Sequence, residues 1–249
     1  VTITLPRKVV KSETKNPRKL LIYADPKRGK TTLIAGLPNG LILDLDRGSG
    51  FLDAIKIQAN NLDELIDVGK AIKQQNEKEG KPIYDFISID TVSKLEEFSW
   101  ELAVRNYKES LVGRNFDGDA NKLKQLPKGA GYPYMWEAFD RIYTFFSILT
   151  PHLILVAHLK RNLISKEGSS EEIEVKDIEL TGKLRVTTCA DMDAIGMLKR
   201  KENKTILSFK TSPDDLICGA RPEHLRDQEI VVAEYTDGKF IYHWDKIFT

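Results

Sequence analysis

The strongest constraint in this chain is a stretch of eight residues, Ala24-Asp25-Pro26-Lys27-Arg28-Gly29-Lys30-Thr31. Before it, Lys19-Leu20-Leu21-Ile22-Tyr23 has the continuous apolar character of a buried strand. After it, Thr31 to Leu37 reads as a helix, stopped by Pro38-Asn39-Gly40. A strand that turns into a helix through such a loop can aim successive backbone N–H groups inward, and the helix N-terminus adds positive potential. That is a cradle for phosphate. The spacing is that of a P-loop with Ala24 at the first glycine position, a change that costs little if position 24 needs no positive φ. Ala24, Asp25, Pro26, Lys27, Arg28, Gly29, Lys30, Thr31 and Thr32 are therefore the expected nucleotide-binding residues, with ATP and Mg²⁺ as the expected ligands. Lys30 is placed to reach the β- and γ-phosphates, and the Thr31 hydroxyl to ligate the metal.

Other strands end in acidic or polar residues. Phe86-Ile87-Ser88-Ile89 leads to Asp90, the expected second metal-site residue. A cap on the helix that starts near Val92 is the structural alternative for Asp90. Leu41-Ile42-Leu43-Asp44-Leu45-Asp46 places two carboxylates on one side of a strand. Asp46 lies nearer the strand's C-terminal edge, where ligands of open α/β sheets bind, and is the candidate for orienting the attacking water. A turn or cap role before Arg47-Gly48-Ser49-Gly50 stays open for it. His158 ends the apolar run from His152 and is a candidate sensor of the γ-phosphate; a satisfied strand-end histidine is the alternative. Lys30, Asp46, Asp90 and His158 form the expected catalytic set.

Helical patterns at 62–78, 92–107 and 134–149 alternate with these strands, which predicts a mainly parallel sheet with crossover helices on both faces. Short alternating strands at 193–199, 204–209, 229–235 and 239–244 predict an antiparallel addition at a sheet edge. One α/β domain over 1–249 is expected. Residues 1–18 would form a short strand, Thr2-Ile3-Thr4-Leu5, and a charged linker, and 193–249 would form the C-terminal antiparallel extension.

Composition narrows the classes. The chain has 249 residues, 41% apolar and 30% charged, which excludes a disordered or collagen-like chain. With 38 Lys and Arg against 37 Asp and Glu, a bulk-cationic nucleic-acid binder is not indicated, so any basic surface must be local. Cys189 and Cys218 have no metal-ligand spacing and read as reduced thiols in or near the core. No run approaches the roughly 20 apolar residues of a membrane span. The chain reads as cytoplasmic, with no membrane partner.

The order of motifs resembles a RecA-like P-loop NTPase core. More narrowly it resembles the phage-encoded RecA-like nucleotide-binding proteins of AAA type, which include single-strand annealing proteins. The residues that carry this are Gly29-Lys30-Thr31-Thr32, the strands ending at Asp46 and Asp90, Val156-Ala157-His158, Ala190-Asp191-Met192-Asp193-Ala194-Ile195-Gly196 and Cys218-Gly219-Ala220-Arg221. The resemblance covers about residues 19–245. A longer Glu is usual at the position of Asp46. The resemblance implies an ATP-dependent protein of phage recombination or replication, inside an infected bacterial cell. It would bind single-stranded DNA and form homo-oligomeric rings or filaments, with ATP near a subunit interface.

In such folds DNA binds the loops after the third and fourth core strands, here 105–133 and 160–185. Arg105, Lys108, Arg114, Lys122, Lys124 and Lys128 in the first, and Lys160 and Arg161 in the second, are the expected DNA-binding residues. Tyr107, Phe116, Tyr132 and Tyr134 are expected to stack on bases. Gly113, Gly118, Gly129 and Gly131 predict mobility in the first loop; an ordinary solvated loop is its alternative reading. Arg200 and Arg221 are candidates for a trans-acting cation. Two other functions stay open: a nucleotide-gated assembly module with little turnover, and a P-loop phosphotransferase.

Overall fold

The computed structural model describes residues 5, 7–9, 11–165, 172–211 and 217–249. The phosphate-loop strand β1 (Lys19–Ala24) alternates its side chains between two hydrophobic cores. Leu21 and Tyr23 point into one core and Leu20, Ile22 and Ala24 into the other, all fully or almost fully buried. A central parallel strand must be apolar on both faces, which is why its sequence reads as an unbroken run.

Five further strands lie parallel to β1 or to its neighbours: β2 (Gly40–Asp44), β3 (Lys56–Gln58), β4 (Phe86–Asp90), β5 (His152–Ser165) and β7 (Ala194–Lys201). The sheet continues antiparallel through β8 (Lys204–Ser208), β10 (Glu229–Thr236) and β11 (Lys239–Tyr242). Its order is β11-β10-β8-β7-β1-β5-β4-β2-β3, so β5 separates β1 from β4. Beyond the sheet, β5 continues as a two-stranded ribbon with β6 (Glu172–Ile178), and β9 (Gly219–Ala220) pairs with β7. The first strand of 193–249, β7, is expected in the antiparallel addition but lies parallel to β1 and belongs to the parallel part of the sheet; β8, β10 and β11 carry the antiparallel extension.

The first core is covered by α2 (Leu62–Glu79), α3 (Val92–Glu109) and α5 (Tyr132–Ser147), with Leu184 from α6 (Gly182–Asp191). Asn61 caps α2 by accepting from Glu64 N at 2.9 Å, and Gly80 ends it in the left-handed region. The second core is covered by α1 (Lys30–Ala35) and the C-terminal aromatics. Tyr242 donates to Thr32 O at 3.1 Å and Trp244 to Leu33 O at 3.2 Å, so the last strand and turn hold the helix that follows the phosphate loop.

The segment 109–133 is not one continuous loop. It contains α4 (Ala120–Lys124) and a 3-10 turn at Pro127–Gly129. Gly113 is needed there for close packing: a Cβ would lie 1.9 Å from Tyr107 O. Of the expected N-terminal strand, Thr2, Ile3 and Thr4 lie outside the described residues, and Leu5 is not in a strand. Both cysteines are free and partly buried. Among the described residues no helix is long and apolar enough to cross a membrane.

Candidate nucleotide-binding site

The site is built at the C-terminal ends of β1, β2, β4 and β5. Strand periodicity decides what points into it. The second-core face carries Ile42, Phe86, Ile154 and Val156, and on that same face the sequence places Asp44, Asp90 and His158 at the strand ends. Because α1 covers this face, the polar strand ends converge on the residues that open α1.

The loop needs left-handed backbone at two points, Lys27 with φ 61° and Gly29 with φ 92°. Gly29 is the residue just before α1, where a side chain would be strained. Ala24 lies at the end of β1 and is not among the positive-φ residues, so its Cβ is tolerated.

Lys30 is buried and its three N–H groups have three acceptors: Ala24 O at 3.0 Å, Asp25 O at 3.1 Å and His158 Nδ1 at 3.2 Å. An ammonium can only donate, so Nδ1 of His158 is the acceptor here and a neutral ring carries its proton on Nε2. That nitrogen lies 3.9 Å from Asp46 Oδ2. Burial pulls the Lys30 pKa down, against the opposing pull of Asp90, Asp25, Asp46 and Glu179.

Thr31 Oγ1 donates to Asp90 Oδ2 at 2.6 Å. Asp90 is almost fully buried, and burial pushes its carboxyl up; the Thr31 hydroxyl offsets part of that effect. Thr91, not Asp90, is the cap residue of α3, and it makes no side-chain cap bond. A carboxylate and a hydroxyl in contact are hard oxygen donors of the kind Mg²⁺ takes from a protein when phosphates and water supply the rest. Thr31 and Asp90 therefore fit the ion.

Strand β2 ends at Asp44, so of the two carboxylates expected on one strand only Asp44 lies in it, and the two have different surroundings. Asp44 is buried and accepts from Gly48 N and Ser49 N, each at 3.0 Å, and from the Ser49 hydroxyl. Burial raises its pKa, but these hydrogen bonds outweigh that and hold it below the usual carboxylate range. Asp44 shapes the turn after β2. Asp46, displayed on that turn, is about half exposed and faces His158.

Two contacts had no sequence signal. Arg161, beyond His158 on β5, places Nη2 at 3.1 and 3.0 Å from the two carboxylate oxygens of Asp25 in the loop. Glu179 follows β6, its N–H donates to His158 O at 3.0 Å, and its charge acts on Lys30. Both arise from the β5–β6 pairing.

The candidate cations are dispersed. Arg200 lines a small cleft with Arg28, Gly29, Thr32 and Phe240, beside the loop of its own chain. Arg221 bonds Asp193 Oδ1 at 3.1 Å and Ala190 O at 2.7 Å. The Asp193 carboxylate also accepts from the N–H groups of Arg18 and Lys19, at the start of β1, so Arg221 lies at the end of the sheet opposite the loop. A cleft of about 860 Å³ lies on that opposite side and holds Arg221 but no phosphate-loop residue.

Within 105–133, Arg105 forks onto Asp63 at 2.7 and 2.9 Å. Lys124 sits 5.1 Å from the centre of the Trp100 ring, and Lys122 lies 3.5 Å from Asp117. Lys108, Arg114, Lys128 and Lys160 are exposed. The rings expected to stack on bases are packed edge-on: Tyr107 on Phe116 and Tyr134, and Tyr132 on Trp100, with centroids 5.0–5.2 Å apart. They form a partly buried aromatic cluster, packed where α3 and α5 offer apolar surface.

Fold and loop geometry together define a P-loop NTPase. Residues 16–217, more than half of the chain, match the AAA domain family, and the chain belongs to it. No curated protein matches the sequence.

Proposed function

We propose that the protein binds ATP with Mg²⁺ and hydrolyses it slowly. The observation that carries this reading is the convergence of Lys30, Thr31, Asp90, His158 and Asp46 at one end of the sheet, around the turn into α1. In this reading the loop N–H groups and Lys30 hold the phosphates. Thr31 and Asp90 would hold Mg²⁺, which would supply charge neutralisation at the phosphates. Asp46 takes a proton from water as the water oxygen bonds to the γ-phosphorus and the bond to the β-phosphate oxygen breaks. His158 gives up its Lys30 contact when phosphate arrives and reports the γ-phosphate. Asp46 has a short carboxylate already facing His158, which supports slow turnover.

We further propose the narrower reading: a RecA-like protein of phage-type recombination or replication that acts on single-stranded DNA and works as a homo-oligomer. Support comes from the order of motifs, from the long ribbon that β5 and β6 extend beyond the nucleotide site, and from exposed Lys108, Arg114, Lys128 and Lys160. Arg200 or Arg221 of one copy would then act on a neighbour's nucleotide.

The test is ATP turnover with and without single-stranded DNA, with Lys30→Ala as control. Stimulation by DNA that is lost in the variant supports the whole reading. Turnover without stimulation removes the DNA role, and nucleotide binding without turnover leaves a nucleotide-gated module. Transfer of phosphate to a small acceptor would replace the reading with a phosphotransferase.

A further inference from the structure

Asp25 is a costly residue to have in a loop that receives a triphosphate. Its carboxylate is only 28% exposed and lies close enough to Lys30 to act on that ammonium's charge. A negative group there repels a negative ligand, and the partly buried setting weakens screening by water. Yet the structure gives this carboxylate a counter-charge. Arg161 spans both of its oxygens with one guanidinium nitrogen, at 3.0 and 3.1 Å.

The arm that delivers Arg161 is specific. β5 pairs with β4 as far as Val156 and with β1 as far as His158. From Leu159 on, among the described residues, it pairs with β6 alone. Two residues of one strand thus meet the loop on either side of this transition, His158 at Lys30 and Arg161 at Asp25.

We infer that Arg161 is a positioning residue of the nucleotide site. It cancels the charge of Asp25 and ties the first turn of the loop to β5, so that the loop presents a net attractive field to phosphate. This inference rests on the proposed ATP site and deepens it. It moves Arg161 from the set of DNA-contacting cations to the nucleotide machinery. The pair is about half exposed on the arginine side, so it adds little to folding stability. Its effect falls on the ligand.

The test is a charge cycle read by direct ATP binding, for example by calorimetry, with thermal unfolding alongside. Arg161→Gln removes the Arg161 counter-charge from Asp25 and is expected to weaken ATP binding about tenfold, the scale of one added charge near the phosphates. Asp25→Asn in the same chain is expected to restore binding to within about threefold of the parent. Arg161→Lys keeps the charge and is expected to retain most of the affinity, which separates the charge effect from any folding defect. Unfolding temperatures should stay within a few degrees throughout. Unchanged ATP binding in Arg161→Gln, or a double variant no tighter than Arg161→Gln alone, overturns the inference. If the parent protein binds no ATP, the proposed site itself falls and this inference with it; if the parent binds and only the cycle fails, the site stands.

Discussion

The hydroxyl of Thr31 donates to the carboxylate of Asp90 across 2.6 Å, although the two residues are separated by 59 positions and two intervening strands. The contact joins the start of α1 to the end of β4. It gives the site one hard-oxygen pair facing the space in front of the loop.

Asp90→Asn tests that pair. An amide is a weaker ligand for a hard cation and carries no charge. Turnover is expected to fall by about 100-fold or more and its Mg²⁺ requirement to shift to higher concentration. Thr31→Ser keeps the hydroxyl and should retain most activity. A magnesium titration of initial rates reads both.

His158→Ala removes one of the three acceptors on Lys30 and the partner of Asp46. Binding of ATP should change by less than about threefold, because Ala24 O and Asp25 O still hold the lysine and phosphate replaces the imidazole. Turnover should drop by about tenfold or more if the histidine reports the γ-phosphate. A loss confined to binding would assign His158 to the resting lysine alone.

Asp44 gives a prediction in pH. Its folded pKa lies below its ordinary value of 3.8. Its stabilising effect is therefore complete above that value and is lost as pH falls through the lower, folded pKa. Asp44→Asn is expected to cost about 1–3 kcal/mol near neutrality, since the turn loses a charged acceptor for Gly48 and Ser49. The variant's stability should then change less with pH below about 4 than the parent's. Urea unfolding between pH 3 and 7 reads the difference.

Gly113→Ala tests the packing of 109–133. The added methyl carbon meets Tyr107 O at 1.9 Å, so backbone must move. A loss of about 1–3 kcal/mol is expected, seen as a lower unfolding temperature, with ATP binding unaffected. A variant as stable as the parent would return this segment to the mobile loop its composition suggests.

Charge reversal of Lys108, Arg114 and Lys128 separates the exposed cations from the engaged ones. If single-stranded DNA is the partner, affinity should fall and the slope against salt should flatten. Reversal of Arg105 should have a smaller effect on DNA and disturb its link to Asp63 on α2. Filter binding at several salt concentrations reads both sets.

What the sequence by itself determined is the part of the protein written in neighbouring residues. The turn from β1 through Gly29 into α1 follows from local backbone freedom and a helix start. The alternation of β2 and β4 puts Asp44 and Asp90 on one face, because strand period is local geometry. The C-terminal antiparallel strands were legible for the same reason, from short alternating runs and turn residues. Tertiary structure decided the rest, since pairing between distant strands is chosen by the packing of the whole sheet. Insertion of β5 between β1 and β4 brings His158 to Lys30. The β5–β6 ribbon carries Arg161 to Asp25. The packing of 109–133 was also a tertiary matter: Gly113 and the rings of Tyr107, Phe116, Tyr132 and Tyr134 make close contacts where α3 and α5 offer apolar surface. Between Asp44 and Asp46, periodicity gave the same face to both, and only the fold of the turn at 48–49 made one carboxylate its anchor and left the other facing His158.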